Sequence, residues 1–142
     1  IVSQYPHKRS ATLPLLHLVM AQEGYISPEA IAAVAGIVDI HPSEIMDAVS
    51  FYSMLYTEPK GETNLQICLT LPCSLRGADA LLDHVCEKLN IQPGETTEDG
   101  KFTLMKVECL GSCDTAPVVQ VNLDYHESMT VEKLDRLLES GS

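Results

Sequence analysis

The sequence predicts an α+β fold in which an N-terminal helical bundle precedes a domain of β-α-β-β-α order with a mixed sheet. Apolar residues recur at helical spacing before residue 57, whereas short apolar or β-branched runs alternate with a helical pattern after residue 62. The polar segment between them contains the breakers Pro59 and Gly61. We therefore expect a helical bundle at residues 1–58 and a sheet-containing domain at 63–142.

Three helices are predicted before this boundary. The first carries Pro14 in its opening turn, where proline is tolerated, and stops at Gly24. The second has Ser27 as its N-cap and ends at Gly36, and the third opens at His41. The apolar residues that close the third helix are expected to belong to the core of the bundle: Phe51, Tyr52 and Met54.

Strands and helices alternate after the boundary. An apolar strand at 64–69 leads to an amphipathic helix at 77–89. Two further strands are predicted at 102–107 and 118–121, and Thr130 caps a last helix. This order places one helix between two strands, as in a crossover connection.

Net charge, apolar content and cysteine count make several classes of function improbable for this chain. The 142 residues include 20 acidic and 9 basic side chains, a net charge of -11 that repels nucleic acids and anionic lipid surfaces. No run approaches the ~20 apolar residues of a membrane-spanning helix, so direct membrane insertion is not expected. Five cysteines, an odd number without a secretory signal, indicate a reducing compartment and thiols used as ligands. The first residue is isoleucine, so a leader peptide cannot be judged.

Four of the cysteines fall where two predicted strands end. A strand, a crossover helix and a second strand are almost always joined right-handed, so the two strands are parallel and end at one edge of the sheet. One CxxxxC pair closes the first strand and one CxxxC pair follows the second. These four thiols should therefore converge: Cys68, Cys73, Cys109 and Cys113. Cys86 lies on the predicted 77–89 helix and is taken as a small core residue.

Several kinds of site could use four converging thiols. Zinc ribbons favour two-residue spacers and a gap of roughly 15 to 20 residues between pairs, and both are exceeded here. A plant-type ferredoxin would need a cysteine where Arg76 stands, and no CxxC redox pair is present. A [2Fe-2S] cluster takes two thiolates per iron, which suits two separate pairs. Spacing favours the cluster and leaves zinc open. Gly111 allows a tight turn with N–H groups directed at sulfur, and Pro117 is expected to be trans.

Motifs along nearly the whole chain resemble one family, the thioredoxin-like [2Fe-2S] subunits of NADH:quinone oxidoreductase, respiratory complex I. In the second half the resemblance rests on GETT at 94–97, DGKFTL at 99–104 and VECLGSC at 107–113. In the helical region it rests on GYI at 24–26 and SFYSM at 50–54. Cys86 lies outside the family's pattern, and the 122–130 segment looks slightly compact for it.

The resemblance implies a thioredoxin-like second domain and a one-electron carrier with no catalytic residue of its own. The ligands of the [2Fe-2S] cluster carry over to Cys68, Cys73, Cys109 and Cys113. The implied partner is the NADH-binding flavoprotein subunit, which carries FMN and a [4Fe-4S] cluster, within a larger respiratory complex. Such a protein would be peripheral to the membrane through the complex, on the cytoplasmic side or on the mitochondrial matrix side. If the 51–54 residues were exposed, they would mark the flavoprotein contact.

Two other functions remain open from the sequence. One is the equivalent diaphorase subunit of an NAD-linked hydrogenase or formate dehydrogenase, which resembles this family. The other is a zinc-stabilised adaptor without a redox role.

Overall fold

The structure, a computed structural model, describes residues 1–140 and divides into two compact units. The first unit is Ile1–Pro59 and the second begins at Lys60. The last two residues of the predicted 63–142 domain lie outside the described residues. None of the helices in the described chain is long and apolar enough to cross a membrane.

The first unit contains the three predicted helices. They are α1 (Thr12–Glu23), α2 (Pro28–Val38) and α3 (Pro42–Phe51), and two short 3₁₀ turns precede them. Ser27 accepts the N–H of Ala30 at 3.1 Å and so caps α2 as predicted. Helices α2 and α3 therefore begin where the capping pattern indicated.

The predicted end of α2 at Gly36 is wrong. The helix continues to Val38, and Asp39 takes the left-handed conformation (φ 62°) that closes it. Val34, Ala35 and Val38 are all buried in the core of this unit. Burial of Val38 favours two more helical residues, and it outweighs the weak helix propensity of one glycine.

The expectation that the end of α3 lies in the core is also wrong. Phe51 is 80% exposed, and Tyr52 and Met54 are each 44% exposed. Ile45 and Val49 form the buried face of α3, but the helix ends at Phe51 and the backbone of Tyr52 is extended (φ -91°, ψ 110°). Tyr52 thus leaves the helix before its side chain can follow that buried face, and Phe51, two residues after Val49, lies on another side of the helix.

The second unit has a four-stranded mixed sheet with helices around it, which confirms the predicted α+β class. Its elements follow in order: β1 (Thr63–Cys68), α4 (Leu71–Leu75), α5 (Ala78–Leu89), β2 (Phe102–Val107), β3 (Val119–Val121), β4 (Asp124–His126) and α6 (Val131–Ser140). The strand order in the sheet is β2-β1-β3-β4. Strand β1 is parallel to β2 and antiparallel to β3, and β4 pairs antiparallel with β3. The short elements α4 and β4 are additions to the predicted order.

Central position and helix packing explain the burial in this unit. All six residues of β1 are buried because it has a strand on both sides. Leu81 and Val85 of α5 and Leu134 of α6 pack into the same core. On the surface, Asp135 of α6 accepts a hydrogen bond from Lys88 of α5 at 2.6 Å. The sheet edge that carries the site is therefore backed by a packed core.

Candidate metal centre

The parallel pairing of β1 with β2 brings the two cysteine pairs to one edge of the sheet. Cys68, the last residue of β1, is in register with Val107, the last residue of β2. The Leu69 N–H then donates to the Val107 carbonyl at 3.2 Å, which holds the two strand ends together. Cys109 follows Val107 by two residues, so both pairs start from this edge, as the crossover argument predicted.

Thr70 organises the first pair. Its carbonyl accepts the N–H of Cys73 at 2.9 Å, which starts α4 one residue later. Its hydroxyl lies 3.0 Å from the Cys68 sulfur. Cys73 is thus held on a short helix, which lies between the predicted strand at 64–69 and the predicted helix at 77–89. The sequence did hold a signal for α4, because Thr70 before Pro72 is typical of a helix start.

The second pair lies on a tight turn. The Cys109 and Cys113 sulfurs are 3.3 Å apart. Gly111 between them has φ 86°, a conformation that residues with a Cβ rarely adopt, and its N–H is directed at the Cys109 sulfur at 3.4 Å. Both features are those expected of Gly111 from the sequence. Pro117, after this turn, follows a cis peptide bond, so the trans expectation is wrong.

The two pairs differ in exposure. Cys68 and Cys73 are each 2% exposed, whereas Cys109 and Cys113 are exposed. All five cysteines are free thiols. Cys86 is partly buried against the core, and that burial together with the charge of Asp83 raises its pKa.

One thiol in each pair is easier to ionise than the other. Burial opposes ionisation of Cys68, but the Thr70 hydroxyl and the backbone N–H groups of Leu110 and Thr70 outweigh it and lower the pKa. The pKa of Cys109 is lowered chiefly by the Gly111 N–H and then by the Cys113 thiol. Each pair therefore holds one sulfur that ionises more easily than an ordinary thiol, and the thiolate is the form that binds metal.

The remaining two thiols are each influenced by charge on the opposite pair. Burial raises the pKa of Cys73, and the charges of Cys68 and Cys109 raise it further. The pKa of Cys113 is raised first by Cys109, then by burial, and also by the charges of Cys73 and Cys68. Since Cys73, Cys109 and Cys113 are each influenced by charge on the opposite pair, the four sulfurs share one electrostatic environment. Four thiolates there would repel one another, and bound cations would relieve the repulsion.

The donor set fits an iron-sulfur cluster. Within residues 1–140 no three His, Cys, Asp or Glu side chains are spaced to hold one metal ion. The donors to be matched are two pairs of free thiols. A [2Fe-2S] cluster has that requirement, with two thiolates on each iron. Backbone N–H groups near the sulfurs are also typical of such sites, where they help to set the reduction potential.

Comparison with known proteins supports the same kind of site. The sequence profile of the family described as thioredoxin-like [2Fe-2S] ferredoxin matches residues 1–142. NADH-quinone oxidoreductase subunit 2 of Thermus thermophilus is 48% identical over 139 residues, which cover 96% of this chain and 77% of that protein. A subunit of the NADH-quinone oxidoreductase of Rhizobium meliloti is 42% identical over 138 residues, or 97% of this chain and 82% of that one.

One similar solved structure extends the fold comparison. It is a crystal structure of an NAD+-reducing [NiFe]-hydrogenase in the air-oxidized state, with a TM-score of 0.81 and 24% identity. The match covers 92% of this chain but only 22% of the hydrogenase chain. At this identity the likeness concerns the fold alone.

Proposed function

Because this chain belongs to the thioredoxin-like [2Fe-2S] ferredoxin family, we propose that it holds a [2Fe-2S] cluster and carries single electrons. The proposed ligands are Cys68, Cys73, Cys109 and Cys113. The observation that carries the proposal is the convergence of two pairs of free thiols at one edge of the sheet.

The proposed role uses the structure of the site and no catalytic side chain. When bound, such a cluster accepts or gives one electron at a time. The chain supplies four sulfur ligands and the Gly111 N–H that points at one of them. The Cys68 and Cys73 side is closed by the protein core, whereas the Cys109 and Cys113 side is exposed. Electrons would therefore enter and leave on the exposed side.

We further propose that the protein works as a subunit of NADH:quinone oxidoreductase. Its relatives at 48% and 42% identity carry that name and match almost the whole chain. NADH gives up two electrons as hydride, so a flavin must stand between it and a one-electron carrier. The proposed partner is thus the NADH-binding flavoprotein subunit with FMN and its [4Fe-4S] cluster, in a larger respiratory complex. The protein would be peripheral to the membrane through that complex, on the cytoplasmic or matrix side.

An apolar surface on the first unit supports this assembly. Phe51, Tyr52 and Met54 are exposed at the end of α3, and the Phe51 and Tyr52 rings pack edge to face with their centroids 5.1 Å apart. Exposed aromatic and methionine side chains that cluster in this way are typical of protein interfaces. We assign this surface to contact with the flavoprotein subunit.

The cluster is tested by anaerobic purification and reconstitution with iron and sulfide. Wild-type protein should gain a reddish chromophore, two irons and two acid-labile sulfides per chain, and an electron-spin signal on reduction. Cys109→Ser should lose or alter the chromophore. The matched control is Cys86→Ser, which removes the one cysteine outside the proposed ligands and should leave all three signals unchanged. A wild-type protein that stays colourless and free of sulfide would overturn the proposal.

The same preparation tests electron transfer. NADH alone should leave the reconstituted chain oxidised, because no residue here accepts hydride. Addition of the FMN-containing flavoprotein subunit should allow NADH to reduce it. Failure of that reduction, with both proteins loaded, would leave a [2Fe-2S] protein that does not work with this partner.

A further inference from the structure

The loop that carries two of the proposed ligands is not fixed by burial. We call residues 109–115 the ligand loop. None of its seven residues is buried, and Cys109, Gly111 and Cys113 are exposed. Yet cluster ligands must stay within a narrow geometry for the cluster to form. Hydrogen bonds must therefore supply the positioning that the core does not.

Two of those hydrogen bonds come from one neighbouring segment, the hairpin strand β4 and the residues that follow it. The Tyr125 hydroxyl donates to the Leu110 carbonyl at 3.0 Å. The Ser112 hydroxyl donates to the Glu127 carboxylate. The first contact thus attaches the ligand loop at the residue after Cys109, and the second attaches it at the residue before Cys113.

The β4 segment is itself firmly held. Tyr125 is opposite Gln120 of β3, and β3 in turn pairs with the buried central strand β1. After β4, the buried Met129 donates its N–H to the Pro117 carbonyl at 3.0 Å. The Lys133 ammonium group also donates to the Ser128 carbonyl at 2.8 Å. The hairpin can thus transmit the position of the sheet to the exposed loop.

The Tyr125 contact acts on a particular peptide group. The Leu110 carbonyl and the Gly111 N–H belong to the same planar peptide unit. Tyr125 binds one end of that unit, and the other end is directed at the Cys109 sulfur at 3.4 Å. The structure assigns Tyr125 as a positioning residue that orients and polarises the N–H···S bond to Cys109. This inference rests on the proposed function of the four cysteines.

The direction of the effect follows from charge. A donor on the carbonyl oxygen makes the N–H of the same amide a stronger donor, because hydrogen bonds in a chain polarise one another. A bond from N–H to sulfur is stronger when the sulfur carries more negative charge, which is the case in the reduced protein. Loss of the Tyr125 hydroxyl should therefore disfavour reduction and lower the midpoint potential.

Tyr125→Phe in the full chain tests the assignment by removal of the hydroxyl alone. The ring is 51% exposed, and phenylalanine suits a β-strand, so the variant should fold. After anaerobic reconstitution it should hold two irons, show a lower midpoint potential and lose iron to a chelator about fivefold faster. The matched control is Tyr5→Phe, the same change at a tyrosine of the first unit that is 37% exposed and has no assigned role, which should alter neither quantity. Tyr125→Leu repeats the test with a second side chain that lacks the hydroxyl.

The outcomes separate this inference from the proposal on which it rests. If wild-type protein binds no cluster, the proposed function fails. If wild-type and both Tyr125 variants bind the cluster with the same potential and the same rate of iron loss, Tyr125 is only a surface residue and the assignment is overturned. A shift in Tyr5→Phe equal to that in Tyr125→Phe would overturn it as well.

Discussion

The two cysteine pairs reach the same site by different physical means. Cys68 ends the fully buried strand β1, and Cys73 faces the core from α4, so both positions follow from burial. Cys109 and Cys113 lie on an exposed turn whose position depends on hydrogen bonds. Burial is a property of many residues together, whereas a hydrogen bond depends on two groups.

The two pairs should also differ in how well they tolerate substitution and in how easily the sequence predicts their positions. The buried pair should tolerate no change in ligand geometry, because neighbouring core residues are close-packed. The exposed pair should adjust more readily, because a surface loop can shift by small backbone rotations. The buried pair is also the easier one to place from sequence, since hydrophobic periodicity reports the core.

We expect the largest effect in the amount of cluster that Cys68→Ser and Cys113→Ser retain. Serine oxygen can bind iron, but at a shorter distance than sulfur, so the site must contract. Cys68→Ser, at the end of a central strand, should lose nearly all of the cluster, whereas Cys113→Ser should retain a measurable fraction with a shifted spectrum. Iron content, sulfide content and visible absorption after anaerobic reconstitution measure the difference.

Equal cluster retention in the two serine variants would contradict the comparison. A folding control is needed, because loss of the cluster could follow loss of the fold. Far-ultraviolet circular dichroism of the cluster-free variants supplies it, with Cys86→Ser as a reference that changes a cysteine but no proposed ligand.

Sequence reasoning predicted the framework of the site because that framework follows from topology. The crossover from β1 to β2 makes the strands parallel, and the structure confirms this pairing. It also confirms the Ser27 cap and the mixed sheet. Assignment of the four ligands stays a prediction, although the structure brings their sulfurs into one electrostatic environment.

The parts that sequence reasoning missed are short and polar. Strand β4 has three residues and none of them is buried, so it leaves no hydrophobic alternation. The contact of Tyr125 with Leu110 joins positions 15 residues apart through a backbone carbonyl, which any residue type could supply. The exposure of Tyr52 could not be read from helical spacing, because it depends on where α3 ends. Local patterns predict elements, but contacts between backbone and side chain need the fold.

The second expected effect concerns stability without the cluster. Cys73→Ala should lower the free energy of unfolding by about 1 kcal/mol, because it removes a buried sulfur and leaves a small cavity. Cys113→Ala should change it by less than about 0.5 kcal/mol, as exposed substitutions usually do. Urea unfolding of the cluster-free proteins under reducing conditions measures both. Similar values for the two variants would show that the pairs are not held differently.

We expect the smallest effect for the pH dependence of stability at the contact between α5 and α6, which depends on charged side chains at the surface of the second unit. Asp135 joins α6 to α5, and hydrogen bonds from Lys88 and His84 lower its pKa below the ordinary value of 3.8. A carboxylate with a lowered pKa in the folded state stabilises the protein above its unfolded pKa, and this contribution is lost as the pH falls through the folded pKa.

Asp135→Asn should therefore be less stable than wild type at pH 7, and the difference should shrink as the pH falls below about 3.8, where the unfolded carboxyl is protonated. Because Asp135 is one-third exposed, solvent screening should keep the difference below that of Cys73→Ala. Urea midpoints between pH 7 and pH 3 measure it, with the more exposed Glu139→Gln as the control. If the difference in stability stays constant over this range, α5 and α6 are joined by packing and not by the charge of Asp135. The contrast between positions held by burial and positions held by polar contacts would then apply only to the two cysteine pairs.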